Sequence, residues 1–151
     1  KVAESFWVIT GTTSDHKLSK DILLASKSAA TVVILMGMHK LDEIICIYQE
    51  NRKDDLPIAI IQNGTKNSEQ KVVGTISTIT KLVSEKNISS PAIIVIGEVV
   101  RNTSSWISYF QEHFEDEFIF QNLNFHPSHP PHARAASLLH FFALDLLNHR
   151  Q

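Results

Sequence analysis

A chain of 151 residues is the size of one ordinary domain and can bury a core of its own. Charged residues make up 20% and the formal net charge is −2, which leaves no basic field for nucleic acid or an anionic membrane. The single cysteine, Cys46, excludes an internal disulfide and suits a reducing compartment, and no apolar stretch reaches the ~20 residues of a membrane span.

Ser5 to Gly11 (SFWVITG) is a short β-branched and aromatic run closed by Gly11 and the polar Thr12–Asp15 loop, and it predicts the first strand. Leu18, Ile22 and Ala25 then fall at helical spacing, with Leu23 and Leu24 broadening the face, so a helix is expected over 18–28. Thr31 to Met38 (TVVILMGM) follows. Val32 to Met36 is apolar without alternation, the pattern of a strand buried on both faces, and Gly37 opens the backbone at its carboxyl end. Leu41, Ile44, Ile45 and Tyr48 give the stripe of a second helix, which ends in the charged run Asn51 to Asp55. Cys46 has apolar neighbours there and reads as a small core residue, while Asp54 and Asp55 read as a solvated loop end.

Pro57 opens another apolar strand, PIAIIQNGT, closed by the Asn63-Gly64 turn signal. Lys71 to Ile76 predicts a short strand, Thr78 to Lys86 a helix with Ile79, Leu82 and Val83 inward, and AIIVIGEVV from Ala92 the last strand. The expected fold is α/β: a mixed, mostly parallel sheet of about five strands with helices on both faces. Residues 71–76 are its expected antiparallel member, because their connection is too short for a crossover helix. Trp106, Ile107, Phe110 and Phe114 make one more amphipathic helix.

Four stretches in order carry a family resemblance. Thr31 to Gly37 resembles the "T-x-V-x-Y-M-G" strand of the tetrapyrrole methylases, with Leu35 at the aromatic position. Thr10-Gly11 is similar to that family's "T-G-H", with Thr12 in place of His. Pro57 to Thr65 followed by Gln70 is similar to "P-x-A-x-V-x-x-G-T-x-x-x-Q". Pro91-Ala92 with Gly97-Glu98-Val99-Val100 looks like the ending of the uroporphyrinogen-III C-methyltransferases.

The resemblance implies a cytoplasmic enzyme of sirohaem and cobalamin biosynthesis that binds S-adenosyl-L-methionine between two α/β domains and methylates a tetrapyrrole as a homodimer. It covers the second of those domains only, here residues 1–120. The first domain's "G-x-G-x-G-D" loop is absent from this sequence, and the start at Lys1 rather than Met fits a chain cut from something longer. Carried over by position, Met36 and Gly64 are the implied cofactor contacts, with Ala59 and Ala92 beside them. A later precorrin methyltransferase, or a non-catalytic binding or assembly module of the same fold, are the alternative readings.

Such residue types suit the cofactor, because a neutral adenosyl group needs an apolar slot and backbone partners rather than charge. Methyl transfer from a sulfonium is an in-line displacement that alignment drives, and no nucleophile is evident. No general base stands out, and Glu98 and His39 are candidates without further support. Outside the motif, Met36 would read as core filler, Asn63-Gly64 as an ordinary turn, and Gln70 as a polar strand-edge residue.

His126, His129 and His132 invite a metal reading, since imidazole is a common zinc ligand. Pro127, Pro130 and Pro131 oppose helical geometry, and no Cys or carboxylate completes a set nearby, so no metal site is expected. Residues 121–151 read instead as a His/Pro-rich linker and a terminal helix, Ser137 to Leu147, apolar on nearly every side and peripheral to the domain. Truncation after Phe120 should therefore leave the thermal unfolding of the remainder almost unchanged. A loss beyond the ~0.5–3 kcal/mol typical of one substitution would place the tail in the core.

Overall fold

The computed structural model describes residues 4–122, with side chains through 113. The chain divides into two units, Lys1–Phe114 and Glu115–Gln151; of the second only helical residues up to Asn122 are described. The expectations for the His/Pro segment and the terminal helix lie outside the described residues.

Five strands, β1 (Phe6–Thr10), β2 (Thr31–Leu35), β3 (Pro57–Gln62), β4 (Gln70–Thr75) and β5 (Ala92–Ile96), form one sheet in the order β1-β2-β5-β3-β4. The helices are α1 (Asp21–Ser26), α2 (Leu41–Glu50), α3 (Ile79–Glu85) and α4 (Ser104–Asn122), with 3-10 turns at Met38–Lys40 and Glu98–Asn102. The α/β class and the five strands are as expected.

The strand directions differ from expectation. Only β1 and β2 pair in parallel, whereas β5 is antiparallel to both β2 and β3, and β4 is antiparallel to β3. The short Asn63–Glu69 connection reverses the chain at β4, as its length requires. The α3 crossover then preserves the reversed sense, so β5 enters between β2 and β3 running against both. A mostly parallel sheet is thereby excluded.

Register puts Trp7, Val32, Ile96, Ile58 and Gly74 in one rank and Ile9, Ile34, Ile94, Ile60 and Val72 in another, all on one face. This face is the core. A Cβ on Gly37 would touch Ile34, Ile94 and Ile44, and one on Gly74 would touch Leu82 and Thr78, so α2 and α3 both pack there. Burying each isoleucine contributes ~1.5–3 kcal/mol. The α2 stripe of Leu41, Ile44, Ile45 and Tyr48 is fully buried, as its spacing predicts.

The opposite face is covered over Ala59, Val73 and Thr75 but open over β1, where Phe6 is 74% and Val8 60% exposed. So β2 is not buried on both faces: Val32 and Ile34 are buried while Leu35 is exposed. An unbroken apolar run does not require two covers.

Other boundaries shift for local reasons. The first helix is shorter than 18–28, and Leu23 and Leu24 point to solvent. The last strand stops at Ile96, since Gly97 takes φ 138° and the chain turns into a 3-10 segment. Among the described side chains of α4, Trp106 and Tyr109 are buried, while Ile107 and Phe110 are exposed. The Tyr109 hydroxyl lies 2.8 Å from Thr78 Oγ1, which ties α4 to the start of α3. Cys46 is exposed on α2, its thiol 3.7 Å from Glu50, and is not a core residue.

The ends of β1 and β2 are in close contact. A Cβ on Gly11 would stand 2.5 Å from the Cα of Gly37, a backbone atom that cannot swing aside. Gly11→Ala should therefore destabilise the chain by ~1–3 kcal/mol, as overpacking does, with the loss read as a lower urea midpoint at unchanged slope. An unchanged midpoint would show that the two strand ends are free to separate.

Candidate functional site

Because β1, β2 and β3 run in one sense and β4 and β5 in the other, one rim of the sheet collects three carboxyl ends and two amino ends. Gly11 and Thr12 follow β1, Met36 and Gly37 follow β2, Asn63 to Thr65 follow β3, and Ala92 opens β5. In open α/β sheets the carboxyl ends are where ligands bind.

Met36, Ala92 and Gly64 lie together on this rim. Ladder positions align Val32 with Ile96 and Ile58, and Ile34 with Ile94 and Ile60, so two residues further on Met36 falls level with Ala92 and Gln62. Gly64 lies just beyond Gln62. Ala59 does not join them. It sits mid-strand on the opposite face, paired with Val95 and Val73 and only 8% exposed.

The rim holds its backbone in unusual conformations. Met36, Asn63 and Thr65 have φ of 55°, 52° and 68°. Asparagine tolerates this region, but a β-branched threonine there is a genuine outlier, and such outliers cluster at ligand sites. Each is held by a neighbour. Thr12 Oγ1 donates to the Met36 carbonyl at 2.8 Å, Lys66 N–H donates to the Asn63 carbonyl at 3.1 Å, and Thr65 N–H donates to Glu69 Oε2 at 2.7 Å. The rim is tightened further where Asn63 N–H donates to the Pro91 carbonyl and Ser89 N–H to Gln62 Oε1.

Met36 is 66% exposed, so its thioether is open to a ligand rather than filling the core. Of the two candidate bases, Glu98 lies at the other end of the sheet, where it pairs with Arg101 at 2.6 Å. It cannot serve a ligand at this rim. His39 is exposed in the turn immediately after Gly37. In the loop after β1, the Thr13 hydroxyl and then Lys17 hold the exposed Asp15 carboxyl below its usual range. Among the described residues no group of three His, Cys, Asp or Glu side chains could hold a metal ion.

Two contributors escaped the sequence reading. Gln70, the motif's glutamine, merely opens β4, whereas four residues after Thr65 stands Glu69, whose carboxylate holds the loop. Thr12 reads from the motif as a replacement for histidine, yet a hydroxyl one residue past a strand-ending glycine is a signal for the bond it makes to the Met36 carbonyl.

A cavity of about 360 Å³ opens at the opposite rim, lined in part by Ser28, Arg52, Lys53, Gly97 and Arg101. Two of its cations, Lys53 and Arg101, are engaged by the protein itself. Lys53 Nζ donates to the Ser28 carbonyl, and Arg101 pairs with Glu98 while lying 4.8 Å over the Trp106 ring. No helix of the described residues is long and apolar enough to cross a membrane.

Against known proteins, residues 2–80 match the family of tetrapyrrole (corrin/porphyrin) methylases. The chain is 37% identical over 102 residues to a uroporphyrinogen-III C-methyltransferase of Methanocaldococcus jannaschii, covering 66% of this chain and 42% of that one. A namesake from Synechocystis sp. is 37% identical over 101 residues, covering 65% and 38%. A uroporphyrin-III C-methyltransferase of Thermus thermophilus, solved with S-adenyl homocysteine, superposes with a TM-score of 0.58 at 20% identity, over 68% of this chain and 45% of that one. At that identity the likeness is one of fold. The chain spans less than half the length of these relatives. With more than half its residues inside the family match, and with the same fold, the chain belongs to the tetrapyrrole methylase family.

Proposed function

We propose that residues 1–120 are the C-terminal domain of an S-adenosylmethionine-dependent uroporphyrinogen-III C-methyltransferase, a cytoplasmic homodimer on the route to sirohaem and cobalamin. The observation that carries this reading is the shared rim of Met36, Gly64 and Ala92, with an exposed thioether beside backbone turned out of the ladder.

These residues suit the cofactor's adenosyl end. Met36 offers a soft apolar surface, Gly64 lets the chain approach closely, and Ala92 leaves room between them. When bound, the cofactor supplies an electrophilic methyl group. The chain's own part is to hold the adenosyl end in register, so that donor and acceptor align. The carboxylates of the tetrapyrrole would be met by basic groups around the cleft. His39, one turn from Met36, remains as a base candidate on this rim.

A non-catalytic module of the same fold is the second reading. What favours it is that, of the two candidate bases, only His39 shares the rim with Met36. Tested on its own, one wall of such a cleft would supply neither full alignment nor water exclusion.

Titration of the purified 151-residue chain with S-adenosylhomocysteine should show weak binding, and Met36→Ala should weaken it about 5-fold, equivalent to ~1 kcal/mol of lost contact. Incubated with S-adenosylmethionine and uroporphyrinogen III, the same chain should transfer no methyl group. Equal affinity of wild type and Met36→Ala would remove Met36 from the site. Turnover by the chain alone would overturn the half-site reading.

A further inference from the structure

The left-handed turn at Met36 does not hold itself. The β1–β2 ladder ends where Gly11 N–H donates to the Leu35 carbonyl at 2.6 Å, so the Met36 carbonyl already lies past the last strand bond. A methionine at φ 55° is disfavoured by its own Cβ. The carbonyl is taken by Thr12 Oγ1 at 2.8 Å, from the neighbouring strand's end.

Thr12 is itself fixed from two sides. Its backbone bridges to Leu18 across the β1–α1 loop, and the Ser19 N–H donates to the Gly11 carbonyl at 3.1 Å. On the far side of Met36, Gly37 is wedged against Gly11, and its carbonyl accepts from Lys40 N–H at 2.9 Å. The turn is thus clamped between a glycine contact and a hydroxyl.

We propose that Thr12 is a positioning residue for the cofactor site: its hydroxyl holds the Met36 peptide in the turn that presents the thioether at the rim. The inference rests on the reading of Met36 as an adenosyl contact. Thr12 need not touch the cofactor, because it acts on the conformation of the residue that does. A side chain with the same branching but no hydroxyl would keep the local packing and lose the clamp.

The experiment uses the 151-residue chain with Thr12→Val, which deletes the hydroxyl at constant shape, and Thr12→Ser, which keeps it. Thr12→Ala repeats the deletion should the valine variant misfold. S-adenosylhomocysteine affinity is measured by calorimetry, and the Met36 backbone conformation by NMR couplings in the absence of ligand. The hydroxyl-deleted variant should bind about 5-fold more weakly, the equivalent of one ordinary hydrogen bond, with Met36 no longer left-handed. Thr12→Ser should restore both. Unchanged affinity in Thr12→Val, or no rescue by serine, overturns the proposal while leaving the cofactor reading standing. If the wild-type chain binds no S-adenosylhomocysteine at all, the cofactor reading fails. The couplings then decide the clamp: Met36 staying left-handed without the hydroxyl overturns it, and relaxing to an ordinary turn supports it.

Discussion

The approach of Gly11 to Gly37 constrains the rest of the rim. No side chain fits between them, since a single Cβ on residue 11 would overlap backbone. With both positions bare, the ends of β1 and β2 close to one last ladder bond, and both chains must leave the sheet at once. They leave in different ways. Beyond Gly11 the chain enters the Thr12–Leu18 loop, while at Met36 it twists into a left-handed turn and then starts α2 through a 3-10 segment. The same glycine lets Ile44 of α2 reach Ile34 and Ile94, so close packing above the sheet and the exposed turn at its rim have one cause.

Gathering chain ends at that rim depends on the reversal at β4. Had β5 run with β2 and β3, its amino end and Ala92 would lie at the far side of the sheet. The short connection after β3 forces an antiparallel partner, and the α3 crossover keeps that direction into β5, which brings Ser89, Pro91 and Ala92 back beside Gln62 and Asn63. The arrangement of strands that overturns a parallel reading is therefore what assembles the rim.

Helical stripes were legible because a helix must bury one face. Leu41, Ile44, Ile45 and Tyr48 were readable from spacing alone, and so were Ile22 and Ala25. Strand direction was not, since a strand's sequence is the same whichever way its neighbour runs. Nor was the cover of each face, because Leu35 and Phe6 are as apolar as Ile34 yet lie exposed. The rim was legible through motif positions for Met36, Gly64 and Ala92. Ala59 shares the motif but sits mid-strand on the other face, and Glu98 follows β5 to the opposite end. A motif preserves order along the chain, whereas side and direction are set by pairing. Glu69 illustrates the remaining gap. Its role is a carboxylate reaching back to Thr65 N–H, which a reading by residue type passes over in favour of the neighbouring glutamine.

The rim holds an excess of its backbone off its minima. Met36 and Thr65 in the left-handed region cost roughly 1–2 kcal/mol each, a large share of the ~5–15 kcal/mol that holds a domain folded. Each is countered by one hydrogen bond, from Thr12 and to Glu69, worth ~0.5–1.5 kcal/mol. The bonds do not fully offset the strain, so the remainder falls on the isoleucine core behind the rim. A surface maintained at that cost is built for shape, since what its hydrogen bonds fix is the course of the backbone. Reactions driven by alignment ask for that kind of surface.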